Sequence, residues 1–121
     1  MILAIPAGEK NIQSPVYSSF GRAPFFLLYN TKEESFDFVE NDAAQSSGGA
    51  GIKAAQTIVD HQANTVLSPQ CGQNAAEVLQ GANIPILQSI QGSLQENIQA
   101  FTSGLLNPLH DIHEGHHSHG S

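Results

Sequence analysis

Cysteine is almost absent from this chain: Cys71 stands alone among 121 residues. No internal disulfide can form, so the fold must rest on its own core, and a reducing compartment is expected. Tryptophan is missing and methionine occurs once. Basic residues are nearly as scarce, with four Lys and Arg against eleven Asp and Glu and a formal charge of −7. Such a balance leaves no basic footprint for nucleic-acid phosphates and none for an anionic membrane surface. Long apolar runs are lacking too. Residues 2–5 form the N-terminal apolar stretch, too short for a leader and without a basic start, and nothing approaches a membrane span. A soluble cytoplasmic protein is expected. What is present, 40% hydrophobic and 12% charged residues, suits one globular domain.

Hydrophobic periodicity gives the elements. Residues 2–5 read as a strand buried on both faces and stopped at Pro6. A polar connection, roughly residues 7–19, is longer than usual, and long ordered loops often carry function. Residues 25–29 and 36–40, joined by a polar turn, predict an antiparallel hairpin. A helix is expected from about 49 to 62, a strand over 65–68, a second helix with Ala75, Val78, Leu79 and Ala82 on one face, and a strand over 84–87. Ser93 with Glu96 has capping-box spacing and opens a third helix, whose stripe is Leu94, Ile98, Phe101 and Leu105. The order β, β-hairpin, α, β, α, β, α predicts a five-stranded mixed sheet ordered 3-2-1-4-5 with strand 2 antiparallel and helices on both faces. Residues 1–107 form the domain on this reading, and 108–121 form a disordered histidine-rich tail.

With that order, the loops after strands 1, 3 and 4 leave one edge of the sheet, beside the point where connection direction reverses. Three stretches meet there. Ser47, Gly48, Gly49 and Gly51 precede or open the first helix, where unpaired N–H groups and the helix dipole suit an anion. Cys71, Gly72 and Asn74 lie at the start of the second helix, a position that lowers a thiol's pKa and favours the metal-binding thiolate, or alternatively Cys71 is a small buried packing residue; Asn74 is also placed to cap that helix. Arg22, one of the four basic residues, borders the same rim and suits an anionic ligand, or alternatively pairs with a surface acid. Phe20 is assigned to core packing. Separately, His110, His113, His116, His117 and His119 crowd the C-terminus. Imidazoles at irregular spacing capture divalent metals such as Zn, Ni or Fe without a preformed site. His61 falls at the end of the first helix, where it complements the dipole.

Three motifs, Phe20-Gly21-Arg22-Ala23-Pro24-Phe25-Phe26, Ser47-Gly48-Gly49-Ala50-Gly51-Ile52 and Cys71-Gly72-Gln73-Asn74-Ala75, fall in order and at suitable distances. Together they resemble the dinitrogenase iron–molybdenum cofactor biosynthesis family, with its NifX/NafY-like domains, over about residues 2–106. The resemblance implies a ribonuclease-H-like three-layer fold. It also implies non-catalytic binding, storage or transfer of an iron–molybdenum or iron–sulfur cluster, with a cluster donor or acceptor protein as partner. The chain departs from the family pattern at Gln73, where a Gly-Pro-Asn-Ala motif carries proline.

The leading expectation is therefore a carrier of a metallocluster or metal ion, monomeric or weakly dimeric, with no catalytic residues. Cys71 and the glycine N–H groups hold the cargo and the tail captures metal. A small interaction module without metal is the alternative. A ribonuclease-H-like nuclease is disfavoured, because residues 2–5 carry no acid to converge on Mg²⁺.

Overall fold

Alternation along the first strand sets the layers. In β1 (Ile2–Ala7), Leu3, Ile5 and Ala7 point to one face of the sheet and Ala4 to the other, all buried. The computed structural model describes residues 1–110 and the backbone of residues 112–113. β1 pairs antiparallel with β2 (Phe25–Asn30), which pairs antiparallel with β3 (Ser35–Glu40). On its other side β1 pairs parallel with β4 (Thr65–Ser68). A two-residue strand, β5 (Cys71–Gly72), leaves the main sheet, and β6 (Ile86–Gln88) completes it parallel to β4. The order β3-β2-β1-β4-β6, with β2 alone antiparallel, is the expected one. β5 pairs in parallel with β7 (Ile112–His113).

The helices α1 (Ala50–Asp60) and α2 (Gln73–Gly81) cover one face through Ala54, Ala55, Ile58, Ala75, Ala76 and Leu79, packed on Ala4, Phe26, Val66 and Ile86. α3 (Leu94–Thr102) covers the other through Leu94 and Ile98, against Leu3, Ile5, Leu27 and Leu67. These are the three layers that the resemblance implied.

Several boundaries move, each for a local reason. β1 does not stop at Pro6. The Pro6 carbonyl accepts from Tyr17 N–H at 2.9 Å, so the position of the missing Pro6 N–H faces that loop, beyond the last β1–β4 pair, Ala4 with Val66. All three helices end in the same left-handed turn, at Gln62, Asn83 and Gly104. In each the next two N–H groups fold back: Gln62 to Val59 and Ala63 to Ile58, Asn83 to Gln80 and Ile84 to Leu79, Gly104 to Phe101 and Leu105 to Ala100. Hence Ile84 belongs to a helix end rather than to a strand, and Leu105 is 69% exposed rather than part of the α3 stripe. The folded unit also continues past residue 107. Leu109 is buried, donates its N–H to the Ile86 carbonyl at 2.9 Å, and covers the outer edge of β6.

Candidate functional site

Glycine shapes the ground on which the site is built. Gly49 precedes α1 with φ +69, a left-handed conformation that costs a side-chain-bearing residue roughly 1 kcal/mol. Gly21 lies flush on the first turn of α1: a Cβ there would stand 3.1 Å from Gly51 N and 3.2 Å from Gly51 Cα. A Cβ on Gly51 would in turn touch the Ala75 Cβ of α2 at 3.4 Å. The Phe20–Arg22 loop and the first turns of α1 and α2 are thereby drawn together. Between them opens a cleft of about 420 Å³, walled by Ser19 to Arg22, Gly49 to Ile52, Gln70, and Gly72 to Ala75.

Two clamps hold this loop. The buried Asn41 donates through Nδ2 to the carbonyls of Gly21 (3.2 Å) and Ala23 (2.8 Å), while its Oδ1 accepts from Ala43 N–H and opens a short 3-10 helix, Asp42–Gln45. In return, Arg22 Nη1 donates to the carbonyls of Ala44 (3.1 Å) and Ser46 (2.6 Å). Arg22 therefore pairs with backbone and with no acid among the described residues, and the exposed residue borders the cleft. Lys53 reaches the same segment through Ser46 Oγ at 3.2 Å, so two of the four basic side chains sit at this end of α1. Gln70 Nε2 donates to the Ser18 carbonyl at 3.1 Å and joins the α2 entry to the opposite wall.

The helix starts are the site's main chemical feature. At α3 every first-turn donor is met: Leu94 N–H by the Ser14 carbonyl, Gln95 N–H by the Ile12 carbonyl, and Glu96 N–H by Ser93 Oγ in a complete capping box. At α1 and α2 no side chain caps the N-terminus. Among the described residues no side chain accepts from the first-turn N–H groups of Ala50, Gly51 and Ile52 or of Gln73, Asn74 and Ala75, and all six residues line the cleft. Here two such sets, each at the positive end of a helix dipole, face one cleft beside Arg22. A broader depression of about 580 Å³ on the far side of Arg22 is lined by Glu40 and Asp42 and is unsuited to an anion.

Five sequence-predicted residues line the cleft: Arg22, Gly49, Gly51, Gly72 and Asn74. Asn74 does not cap α2, since it lies inside the first turn and Gly72 holds the cap position. Ser47 and Gly48 lie on the exposed approach to α1 and are not among the wall residues. Cys71 requires a larger correction. The expected acidic, accessible thiol is fully buried in the core with Phe20, Phe26 and Ala75, and desolvation pushes its pKa up from 9.0 to about 11. Burial in apolar packing outweighs the helix dipole here. Phe20 packs on Phe26, ring centroids 5.2 Å apart, as expected of a core residue. His61 closes α1, its Nδ1 2.9 Å from the Thr57 carbonyl.

Among the described residues, no three His, Cys, Asp or Glu side chains come together to hold a metal ion. The donor set of the cleft fits an anion bound by hydrogen bonds, and does not fit a metal bound by protein thiolates. His110 is exposed, and the backbone of His113 lies in β7; His116, His117 and His119 lie outside the described residues. No helix is long and apolar enough to cross a membrane among the described residues. Asn41 and Gln70 were not singled out in the sequence reading, and Gln73 entered it only as a departure from the family pattern. The one signal for Asn41 was its place directly after a strand and before a short acidic turn.

The chain is a three-layer α/β domain with a cleft at the reversal point of its sheet. The comparisons narrow it: residues 1–104 match the family described as dinitrogenase iron–molybdenum cofactor, and the chain belongs to that family. It is similar to the apo form of the orange protein from Desulfovibrio gigas, with 27% identity, a TM-score of 0.86, and coverage of 91% of this chain and 93% of that one. A candidate NifB protein of the DUF35 family from Thermotoga is 31% identical, with a TM-score of 0.82 and coverage of 95% and 98%. A structure from Methanocaldococcus jannaschii, 18% identical with a TM-score of 0.68 over 92% and 96%, shares the fold. No curated protein matches the chain.

Proposed function

We propose that this protein carries an anionic, sulfide-bearing metallocluster of the iron–sulfur or iron–molybdenum type, in the manner of a NifX/NafY-like domain. The cargo is held by hydrogen bonds in the cleft between α1 and α2. One observation carries the reading: of the three helices, the two whose N-termini face the cleft are left uncapped, while the third is capped completely. Cluster sulfides are anionic acceptors and match a surface of convergent N–H donors. Arg22 adds a permanent positive charge at the edge, and its two bonds to the 44–46 segment orient it. Gly72 supports the same view. Its φ of −70 needs no glycine and a Cβ there would meet nothing within 4 Å, so the residue keeps backbone open to an incoming ligand. Cys71 is a packing residue on this reading and contributes no ligand. The histidine-rich tail captures a divalent metal such as Zn, Ni or Fe. A donor or acceptor protein for the cluster completes the cycle.

Anaerobic reconstitution with iron and sulfide, with and without molybdate, tests the assignment through visible absorption and metal counting. The full chain is expected to gain a charge-transfer band, and Cys71→Ala to keep it. Arg22→Ala and Gly72→Val are expected to weaken it. Loss of the band in Cys71→Ala, with the fold intact by circular dichroism, would overturn hydrogen-bonded carriage in favour of thiolate ligation. No band in any form would leave the small interaction module as the reading.

A further inference from the structure

The two edges of the main sheet are finished differently. Beyond β6 the chain covers its own edge: Gln88 N–H donates to the Asn107 carbonyl at 2.7 Å and Leu109 N–H to the Ile86 carbonyl at 2.9 Å, with Leu87 opposite Pro108. Beyond β3 no strand pairs among the described residues. The ladder determines which groups that edge offers. Asn41 N–H donates to the Pro24 carbonyl at 3.0 Å, and bonding alternates residue by residue along an antiparallel pair. Ser35, Asp37 and Val39 therefore bond to β2, while the N–H and C=O groups of Phe36, Phe38 and Glu40 face outward. One outward donor is met locally, since Phe38 N–H donates to the Asp37 carboxylate at 2.9 Å. Beside the edge, Phe36 is 49% exposed and meets Phe38 edge to face, centroids 5.9 Å apart. A groove of about 240 Å³ separates Phe36 from α3, with Ile12, Tyr29 and Ile98 in its walls. Acids crowd the same edge: Glu33, Glu34, Asp37, Glu40 and Asp42 stand against Lys32 as the one base between residues 32 and 42.

We propose that the outer edge of β3 takes an extended, lysine- or arginine-bearing segment of another protein as an added strand. The outward backbone groups of Phe36, Phe38 and Glu40 supply the pairing, and Phe36 with its groove receives an apolar side chain of that strand. Charge selects the occupant. A second copy of this chain would bring the same acids to the shared edge, where like charges repel. A basic segment meets them with the opposite sign, and its backbone takes over Phe38 N–H, which leaves the Asp37 carboxylate to pair with a lysine or arginine. The acids that keep the edge from pairing with itself thus admit a basic strand. The edge also leads to the cleft: Glu40 and Asp42, at its far end, share a depression with Arg22, which borders the cleft. On the carrier reading, the segment belongs to the cluster's donor or acceptor and seats that protein beside the cargo. Pairing at the edge needs no cargo, so its test fails or stands apart from cluster binding.

Amide hydrogen exchange of the full chain, read by NMR without cargo, performs that test. The probe is a peptide of alternating lysine and valine, blocked at both ends and six residues long to match β3. At saturating peptide, exchange at Phe36 and Glu40 is expected to slow severalfold, with the amides of α3 and β6 unchanged. The same peptide methylated at every backbone nitrogen keeps its charges and has no N–H to donate, and should slow neither amide. A peptide with glutamate in place of lysine should have no effect either. In the double variant Asp37→Lys, Glu40→Lys, which alters exposed side chains only, protection by the lysine peptide should drop severalfold. No slowing in the natural chain, equal slowing by the methylated peptide, or unchanged slowing in the double variant would overturn the proposal. So would amides at Phe36 and Glu40 already protected in the free chain. Protection that rises with protein concentration would assign the edge to a second copy, and protection independent of concentration to this chain's own remaining residues.

Discussion

Ionising Cys71 is the perturbation that most directly separates a packing thiol from a ligand thiol. The side chain is fully buried, and desolvation pushes its pKa from 9.0 to about 11. At pH 8 a thiol with the ordinary value is about one-tenth thiolate, and one near 11 about one-thousandth. Ionisation alone should therefore slow native alkylation by iodoacetamide about a hundredfold relative to the chain in guanidinium, and burial slows it further. The same shift fixes a pH dependence of stability. The native state keeps its proton to higher pH than the unfolded state, so between pH 9 and 11 the unfolded chain binds fewer protons and stability falls as pH rises. Below pH 9 this contribution is fully present. Two pKa units correspond to about 2–3 kcal/mol lost across that window. Tyrosines and lysines titrate there too, so the measured quantity is the difference in urea-unfolding slope against pH between the natural chain and Cys71→Ala. Native and denatured alkylation rates within a few-fold of each other, or pH profiles that superimpose in the two proteins, would refute the burial argument. Cys71 would then return to the list of cluster ligands.

Two further substitutions separate the site from the scaffold. Gly21→Ala places a methyl 3.1 Å from Gly51 N, against backbone at the start of α1 rather than a yielding side chain. A cost of about 1–3 kcal/mol is expected, read as a lower melting temperature, with weaker cluster loading because the two walls are forced apart. Ser93→Ala removes the capping box of α3 on the opposite face of the sheet and should cost about 1 kcal/mol. Its melting temperature should fall while loading per folded molecule stays at the natural level.

The contrast between α3 and the other two helices also explains how far the sequence could be read. Ser93 and Glu96 announce their helix start in the letters themselves, and the strand order followed from alternation and connection length. Local patterns such as these survive folding because each is satisfied within a few residues. Cys71 could be read two ways from the sequence, because its chain position, at a strand end before a helix, is one where thiols are activated and also one where a small residue packs. What decides its acidity is which way Cβ points, and that depends on Phe20 and Phe26 arriving from elsewhere. Asn41 and Gln70 were invisible for the same reason, their partners lying 18 to 52 residues away. The glycines were legible as backbone that must come close to something, but the sequence could not say to what. For Gly21 and Gly51 the answer is the protein itself, since each would meet a neighbouring helix turn if it carried a side chain. For Gly48 and Gly72 neither φ nor packing demands glycine, because a Cβ at either would meet nothing within 4 Å. On the proposed reading, a glycine that the fold does not need, at the entrance to an uncapped helix, leaves room for the cargo to approach, and Gly72 fills that part at α2.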